Sequence, residues 1–234
     1  MDFSLNFYAV TLKCKKIKST DIKKTDDYCI EVLITDDCNL VKKEFDGKSR
    51  TKNLINNELK NYIDKEPTFL QQVYAKGEDN LKNSCRDIDI VYLAIVPENT
   101  TSKNGYKFCE IKSDDKFLIV DGQKYEYALY QESSFSKEKY HNIICDNSVK
   151  KNQLLMMMLA LKYIKNNLEN FDVLFEFLGK TFTLEQAHKI YEILKMQTID
   201  KSNFRKKFTP YCKKLDAKIN SIGYRPTYLF MRNE

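Results

Sequence analysis

The sequence predicts an α+β protein, on three observations. Apolar residues alternate at period two through most of the first 145 residues, with one helical interruption. From about Asp146 the apolar spacing changes to a helical period and keeps it. Beyond Thr183 the order becomes helix, short turn, basic helix and hairpin, the order of a winged helix-turn-helix.

The strands are read first. "NFYAVTLKC" and "YCIEVLIT" are rich in β-branched and aromatic residues, "DIDIVYLAIVP" is an apolar run stopped by Pro97, and "KYEYALYQ" alternates. "TKNLINNELKNYI" places Leu54, Ile55, Glu58, Leu59, Tyr62 and Ile63 at helical spacing, so an amphipathic helix is expected there. The polar, glycine-containing text between Pro97 and Tyr125 marks hairpins and loops, and "YAKGEDNLKNSCRD" reads as an exposed, mixed-charge loop.

The helical half begins at Asp146 or Asn147, either a good N-cap, and runs through "LLMMMLALKYIKNNLENFDVLFEFLG" to Gly179. Met156, Met157 and Met158 fall on different sides, so the helix is packed on two sides, either within one chain or against a second copy. In "TFTLEQAHKIYEILKM", Thr183 and Gln186 form a capping box, and Leu184, Ala187, Ile190, Tyr191 and Leu194 form one stripe. The next helix starts at Asp200 as N-cap, buries Phe204 and Phe208, and is stopped by Pro210. A strand, a turn from Ser221 to Pro226 and a strand ending "TYLFM" complete the chain.

Charge is concentrated where the last helix and hairpin lie. The whole chain has a formal net charge of +6, yet Lys195 to Glu234 holds ten basic residues against three acids, so the rest is close to neutral. A local positive field attracts a polyanion. The N-terminal part of a second helix is where side chains enter a major groove, and here it offers Lys201, Ser202, Asn203, Arg205 and Lys206, with Thr209 on the same face. Arginine can donate twice to a guanine edge and asparagine can pair doubly with adenine, a chemistry suited to reading sequence. Lys213, Lys214 and Lys218 are expected at phosphates, and Tyr224 and Arg225 at the wing tip, near a minor groove.

Other chemistries find little support. The seven cysteines are scattered and never spaced C-x-x-C, and the two histidines, His141 and His188, have no nearby partner, so neither a metal nor a disulfide framework is expected. The N-terminus lacks the pattern of a secretory signal and the apolar runs are too short for a membrane span; a cytoplasmic protein is expected. There is no G-x-G-x-x-G and no Walker lysine motif, and no catalytic residue or cofactor is assigned.

The stretch "FTLEQAHKIYEILKMQTIDKSNFRKKF", followed by "GYRPTYLFMRN", resembles the C-terminal winged helix of the Nudix-related transcriptional regulators, which control NAD metabolism or sugar catabolism in bacteria. The residues that carry the resemblance are Phe182, Thr183, Leu184, Tyr191, Glu192, Ile193 and Leu194, then Asp200, Asn203, Phe204, Arg205, Lys206 and Lys207, then Gly223, Arg225, Pro226, Leu229 and Phe230, with Tyr224 inserted in the Gly-Arg-Pro of the family. "DIDIVYLAIVP" is similar to the strand that follows the family's Nudix helix. The resemblance implies a Nudix-like α/β/α sandwich over 1–145, connecting and dimerising helices over 146–179, and a winged helix over 180–234. It further implies a homodimer on double-stranded operator DNA, regulated by a small effector such as ADP-ribose.

Nudix hydrolases carry Arg-Glu-U-x-Glu-Glu, where U is apolar, because acids at these spacings converge on one helix face and chelate Mg²⁺ beside a pyrophosphate. The corresponding "NELKNY" keeps Glu58 alone, with Asn57, Asn61 and Tyr62 at the other positions and Lys43 where a glycine belongs. Glu58 is therefore expected as a surface or ligand-contacting residue, and the domain as catalytically inactive. The alternative is an atypical nucleoside-diphosphate hydrolase with an accessory winged helix.

Overall fold

The computed structural model describes residues 2–19, 26–48, 50–80, 85–114, 116–130, 140–219 and 226–233. Nine strands among them form one sheet: β1 (Asp2–Ile17), β2 (Asp27–Ile34), β3 (Val41–Glu44), β4 (Phe69–Asn80), β5 (Cys85–Ile95), β6 (Lys107–Ser113), β7 (Phe117–Val120), β8 (Gln123–Tyr130) and β9 (Tyr140–Ile143). Its order is β4-β5-β1-β2-β6-β7-β8-β9, and β3 also pairs with β1. The central β1 runs parallel to β5 along Asp2–Leu12 and antiparallel to β2 along Leu12–Ile17. One long strand thereby joins two halves of the sheet.

Alternation along β1 feeds two separate cores. Phe7 and Ala9 point to one face, where Leu54, Ile55 and Leu59 of α1 (Thr51–Leu59) close over them. Tyr8, Val10, Leu12 and Cys14 point to the other, against α2 (Ser148–Asn166). This is the α/β/α sandwich that the resemblance implies. "YAKGEDNLKNSCRD" corrects one expectation: most of it is strand, since β4 and β5 pair from Phe69↔Ile95 to Asn80↔Cys85, and only 81–84 lie outside the described residues. Cross-strand pairing outweighs the polar composition.

The helix expected from 146 to Gly179 is two helices. Asn147 caps α2, its side chain accepting from the Lys150 amide at 3.0 Å. Met156, Met157 and Met158 are all buried within the chain, and the buried Gln153 accepts the Leu40 amide at 3.0 Å. At the other end Asn167 folds back on the Tyr163 carbonyl with its side chain (2.8 Å), and Phe171 adopts a left-handed conformation with φ 62° before α3 (Asp172–Leu178) begins. Phe171 is 4% exposed, and its ring lies 5.0 Å from that of Phe208, so tertiary packing holds the bend.

The remaining elements are α4 (Leu184–Lys195), α5 (Lys201–Phe208), a 3₁₀ turn (Thr209–Tyr211), β10 (Cys212–Ile219) and β11 (Thr227–Arg232). Phe182 pairs with Phe230 through two backbone bonds of 2.9 and 2.8 Å, adding a third short segment to the β10–β11 ribbon. Helix α4 also packs on β2 and α2, and Lys189 ties it to β2 through the Asp26 carbonyl (2.7 Å) and the Asp27 carboxylate (2.9 Å). Sheet, α2 and winged helix share one apolar core.

Candidate nucleic-acid interface

Aromatic rings set the orientation of α5. Phe204 and Phe208 stack with centroids 5.0 Å apart, and Phe208 meets Phe175 at 5.2 Å and Phe182 at 5.8 Å. At about 100° per residue this fixes Ser202 and Lys206 on the opposite side, with Asn203 and Arg205 on the two flanks. Lys201, Ser202, Asn203, Arg205, Lys206 and Thr209 are all exposed, as the sequence requires of a reading face.

The start of α5 is held by three contacts. Asp200 accepts the Asn203 amide at 2.7 Å, which fills the N-cap. Glu192 accepts the Ile199 amide at 2.9 Å. The buried His188, 8% exposed, donates from Nε2 to the Ile199 carbonyl at 2.8 Å, since a carbonyl can only accept, and its ring packs edge-on to Phe204. His188 is thus a structural clamp between α4 and α5, and its Nδ1 lies 3.5 Å from Glu192 Oε2.

Not every predicted cation is disposed alike. The Lys201 ammonium lies 3.9 Å from Glu185 on α4. Lys213 and Lys214 are exposed on β10, but Lys214 Nζ stands 3.4 Å from the centre of the Tyr228 ring, with Lys218 at 4.7 Å. No local sequence pattern marks this pair of cations over one exposed aromatic ring; a register shift between Lys214 and Lys218 accompanies it. Lys207, outside the set expected on the reading face, lines a cavity of about 390 Å³ with Lys195 and Asn203 on the flank of α5. Tyr224 and Arg225 lie outside the described residues.

On the other side of the molecule, the helix corresponding to the Nudix motif is α1. Glu58 is half-buried rather than a surface residue: its Oε2 is 2.9 Å from Lys43 Nζ and its Oε1 accepts the Tyr62 hydroxyl at 3.1 Å. Lys43 is held protonated to higher pH than an ordinary lysine, first by that hydrogen bond and then by the charge of Glu58. Both carboxylate oxygens are therefore engaged by the chain itself. Asn57, Asn61 and Tyr62 do not supply the further anionic ligands that a divalent cation on a pyrophosphate needs, so the residues of this helix do not fit a Nudix metal centre. Among the described residues no group of three or more His, Cys, Asp or Glu side chains is placed to hold a metal ion.

The sheet carries a polar cluster that strand periodicity concealed. Lys13 and Glu31 face each other across β1 and β2, with their side chains only 12% and 7% exposed and 3.5 Å apart. Lys13 also donates to the Thr100 carbonyl at 3.0 Å and stands 4.0 Å from the Phe108 ring centre. Charged residues at positions where alternation calls for apolar ones were the available signal.

Residues 174–231 match the family model of the NrtR DNA-binding winged helix domain. Over all or nearly all of its length the chain has the fold of solved structures that share little of its sequence. A MutT/nudix family protein from Enterococcus faecalis is 14% identical with a TM-score of 0.69, over 100% of this chain and 87% of that one. NrtR of Shewanella oneidensis, solved in complex with a 27mer DNA, is 12% identical with a TM-score of 0.60, over 98% and 93%. A further crystal structure of the same protein is 12% identical with a TM-score of 0.59, over 98% and 94%. No match was found among curated proteins. No helix among the described residues is long and apolar enough to cross a membrane.

Proposed function

We propose that this chain, a Nudix-related transcriptional regulator by its Nudix-type fold and NrtR-type winged helix, binds operator DNA through α5 and the β10–β11 wing and answers to a small ligand in its N-terminal unit. The observation that carries this reading is the outer face of α5: capped by Asp200, fixed from behind by Phe204 and Phe208, and lined with Ser202, Lys206, Arg205 and Asn203. A homodimer is part of the reading, because two wings on two half-sites give the affinity that one short helix does not. We assign 1–145 to the ligand unit and 180–234 to the reader, and place α3 with the reader, since Phe171 and Phe175 pack on Phe208. ADP-ribose is the first effector to try, on the family resemblance, and the cytoplasm is the compartment such a role requires.

The Nudix-type unit is read as a sensor without hydrolase activity. Its one helix carboxylate is already neutralised by Lys43, and a single acid does not hold a divalent cation on a phosphate chain. Incubating the protein with ADP-ribose and Mg²⁺ is expected to release no nucleoside monophosphate; release at enzymatic rates would restore the hydrolase alternative.

The DNA-binding face is tested by selecting bound fragments from the source genome and measuring variants on the best of them. Arg205→Ala is expected to cost about 1–3 kcal/mol, mainly at one base position. Lys213→Ala should weaken all sequences alike and reduce the salt slope by about one. Binding that neither substitution alters would place the interface elsewhere.

A further inference from the structure

The outer part of the wing carries a cluster that the reading helix does not use. Paired residues of an antiparallel ribbon lie on one face, and the register sets Lys214 opposite Phe230 and Lys218 opposite Tyr228. At its root that face enters the core, where Phe230 is 9% exposed; two residues earlier on β11, Tyr228 is 36% exposed. Lys214 Nζ stands 3.4 Å from the centre of the Tyr228 ring and Lys218 Nζ 4.7 Å, both within reach of the attraction between a cation and an aromatic face.

We propose that Tyr228 is the positioning residue of a phosphate clamp: its ring gathers the Lys214 and Lys218 ammoniums at one place on the ribbon, and the pair takes backbone phosphates of the duplex that α5 reads. Resting on the DNA-binding reading, the clamp adds to it the residue that organises the wing. A ring attracts an ammonium through its quadrupole and has no net charge with which to cancel it, so both positive charges stay available to a polyanion, and each ammonium has three N–H donors to offer. Asp216, exposed on β10 between the two lysines, subtracts from that field without reversing it, since β10 holds Lys213, Lys214 and Lys218 against this one acid.

A lysine that swings freely loses rotamer freedom when it is fixed on a phosphate. Two lysines already gathered on a ring lose less, and affinity gains by the difference. Phosphate contacts set the position of a protein on the duplex and carry no sequence information, so the clamp acts alike on all sequences.

The test measures affinity for the best genomic fragment and for an unrelated duplex of the same length, each over a series of salt concentrations. Tyr228→Leu, which removes the ring, is expected to weaken both duplexes alike by about fivefold or more. Tyr228→Phe, which keeps it, should bind within about twofold of the native protein. Replacing Lys214 and Lys218 together by methionine should lower the salt slope by about two, and adding Tyr228→Leu to that pair should cost nothing further. Melting curves check that each variant folds; if Tyr228→Leu does not, the phenylalanine variant and the salt slope of the lysine pair decide. The clamp is overturned by native-like binding of Tyr228→Leu, by a phenylalanine variant no better than the leucine one, by a loss confined to the selected fragment, or by an unchanged salt slope in the lysine pair. Any of these, beside a loss of base discrimination on Arg205→Ala, sinks the clamp and leaves the α5 reading standing. A native protein that binds neither duplex sinks both.

Discussion

The side chain of His188 is one of those that join α4 to α5 in the winged-helix unit. Its Nε2 hydrogen bond to the Ile199 carbonyl and its edge contact with Phe204 fix the turn from which α5 departs. Replacing it by alanine removes the donor and leaves a part-buried carbonyl without its partner, a loss of about 1 kcal/mol or more. His188→Gln retains a donor of similar reach and should recover part of that loss. Urea unfolding of the two variants measures it; equal stability for His188→Ala and the native protein would show the clamp to be dispensable. The sequence shows no Cys or His near this histidine, and the structure sets its Nδ1 3.5 Å from Glu192 Oε2. Its actual role depends on a contact eleven residues away across a turn, which no local pattern encodes. Glu58 teaches the same lesson. Its solitude on α1 is legible, while its capture by Lys43 from β3 requires the sheet to be assembled.

The elements most legible in the sequence were those with a cap and a stripe. Thr183 accepts the Gln186 amide at 3.0 Å and Asp200 the Asn203 amide at 2.7 Å, and both helices begin where those residues stand. Pro210 falls in the 3₁₀ turn that ends α5. The break between α2 and α3 left no such mark. Ile164, Leu168, Phe171, Phe175 and Leu178 continue at spacings of three and four, and neither glycine nor proline interrupts them, so local pattern alone reads one helix. Packing decides otherwise: Phe171 meets the rings of Tyr191, Phe204, Phe208 and Tyr211, a position that a straight continuation of α2 would not provide. Phe171→Ala should therefore cost about 3–5 kcal/mol and abolish specific DNA binding, since the contacts that justify the left-handed residue are gone. A loss below about 1 kcal/mol in chemical unfolding would mean that the bend is set by the backbone of 167–170 instead.

At the scale of the whole molecule, the sheet, α2 and the reader share a core, and buried thiols and phenols are spread through it. Burial pushes Cys109 and Cys212 up to about 11, and Tyr8 and Tyr28 up to about 12, and burial also raises Cys14 and Cys29. An unfolded chain releases thiol protons from about pH 8.5 and phenol protons from about pH 10, so in alkali the unfolded state binds fewer protons than the folded one. By linkage, stability is full below the unfolded thiol range, falls first through the thiols as pH rises above about 9, and falls faster once the phenols join near pH 10. Because Cys109 lies in β6 and Cys212 at the start of β10, the two ends of the molecule carry the same dependence. Continuity of the core adds that both ends should unfold together, in one calorimetric transition whose midpoint drops between about pH 8.5 and pH 10.5. Alanine at Cys109 and Cys212 should flatten the first part of that fall. A midpoint independent of pH across this range, or two transitions of which one responds to Cys109→Ala and the other to Cys212→Ala, would show that the sheet and the reader do not share one cooperative core.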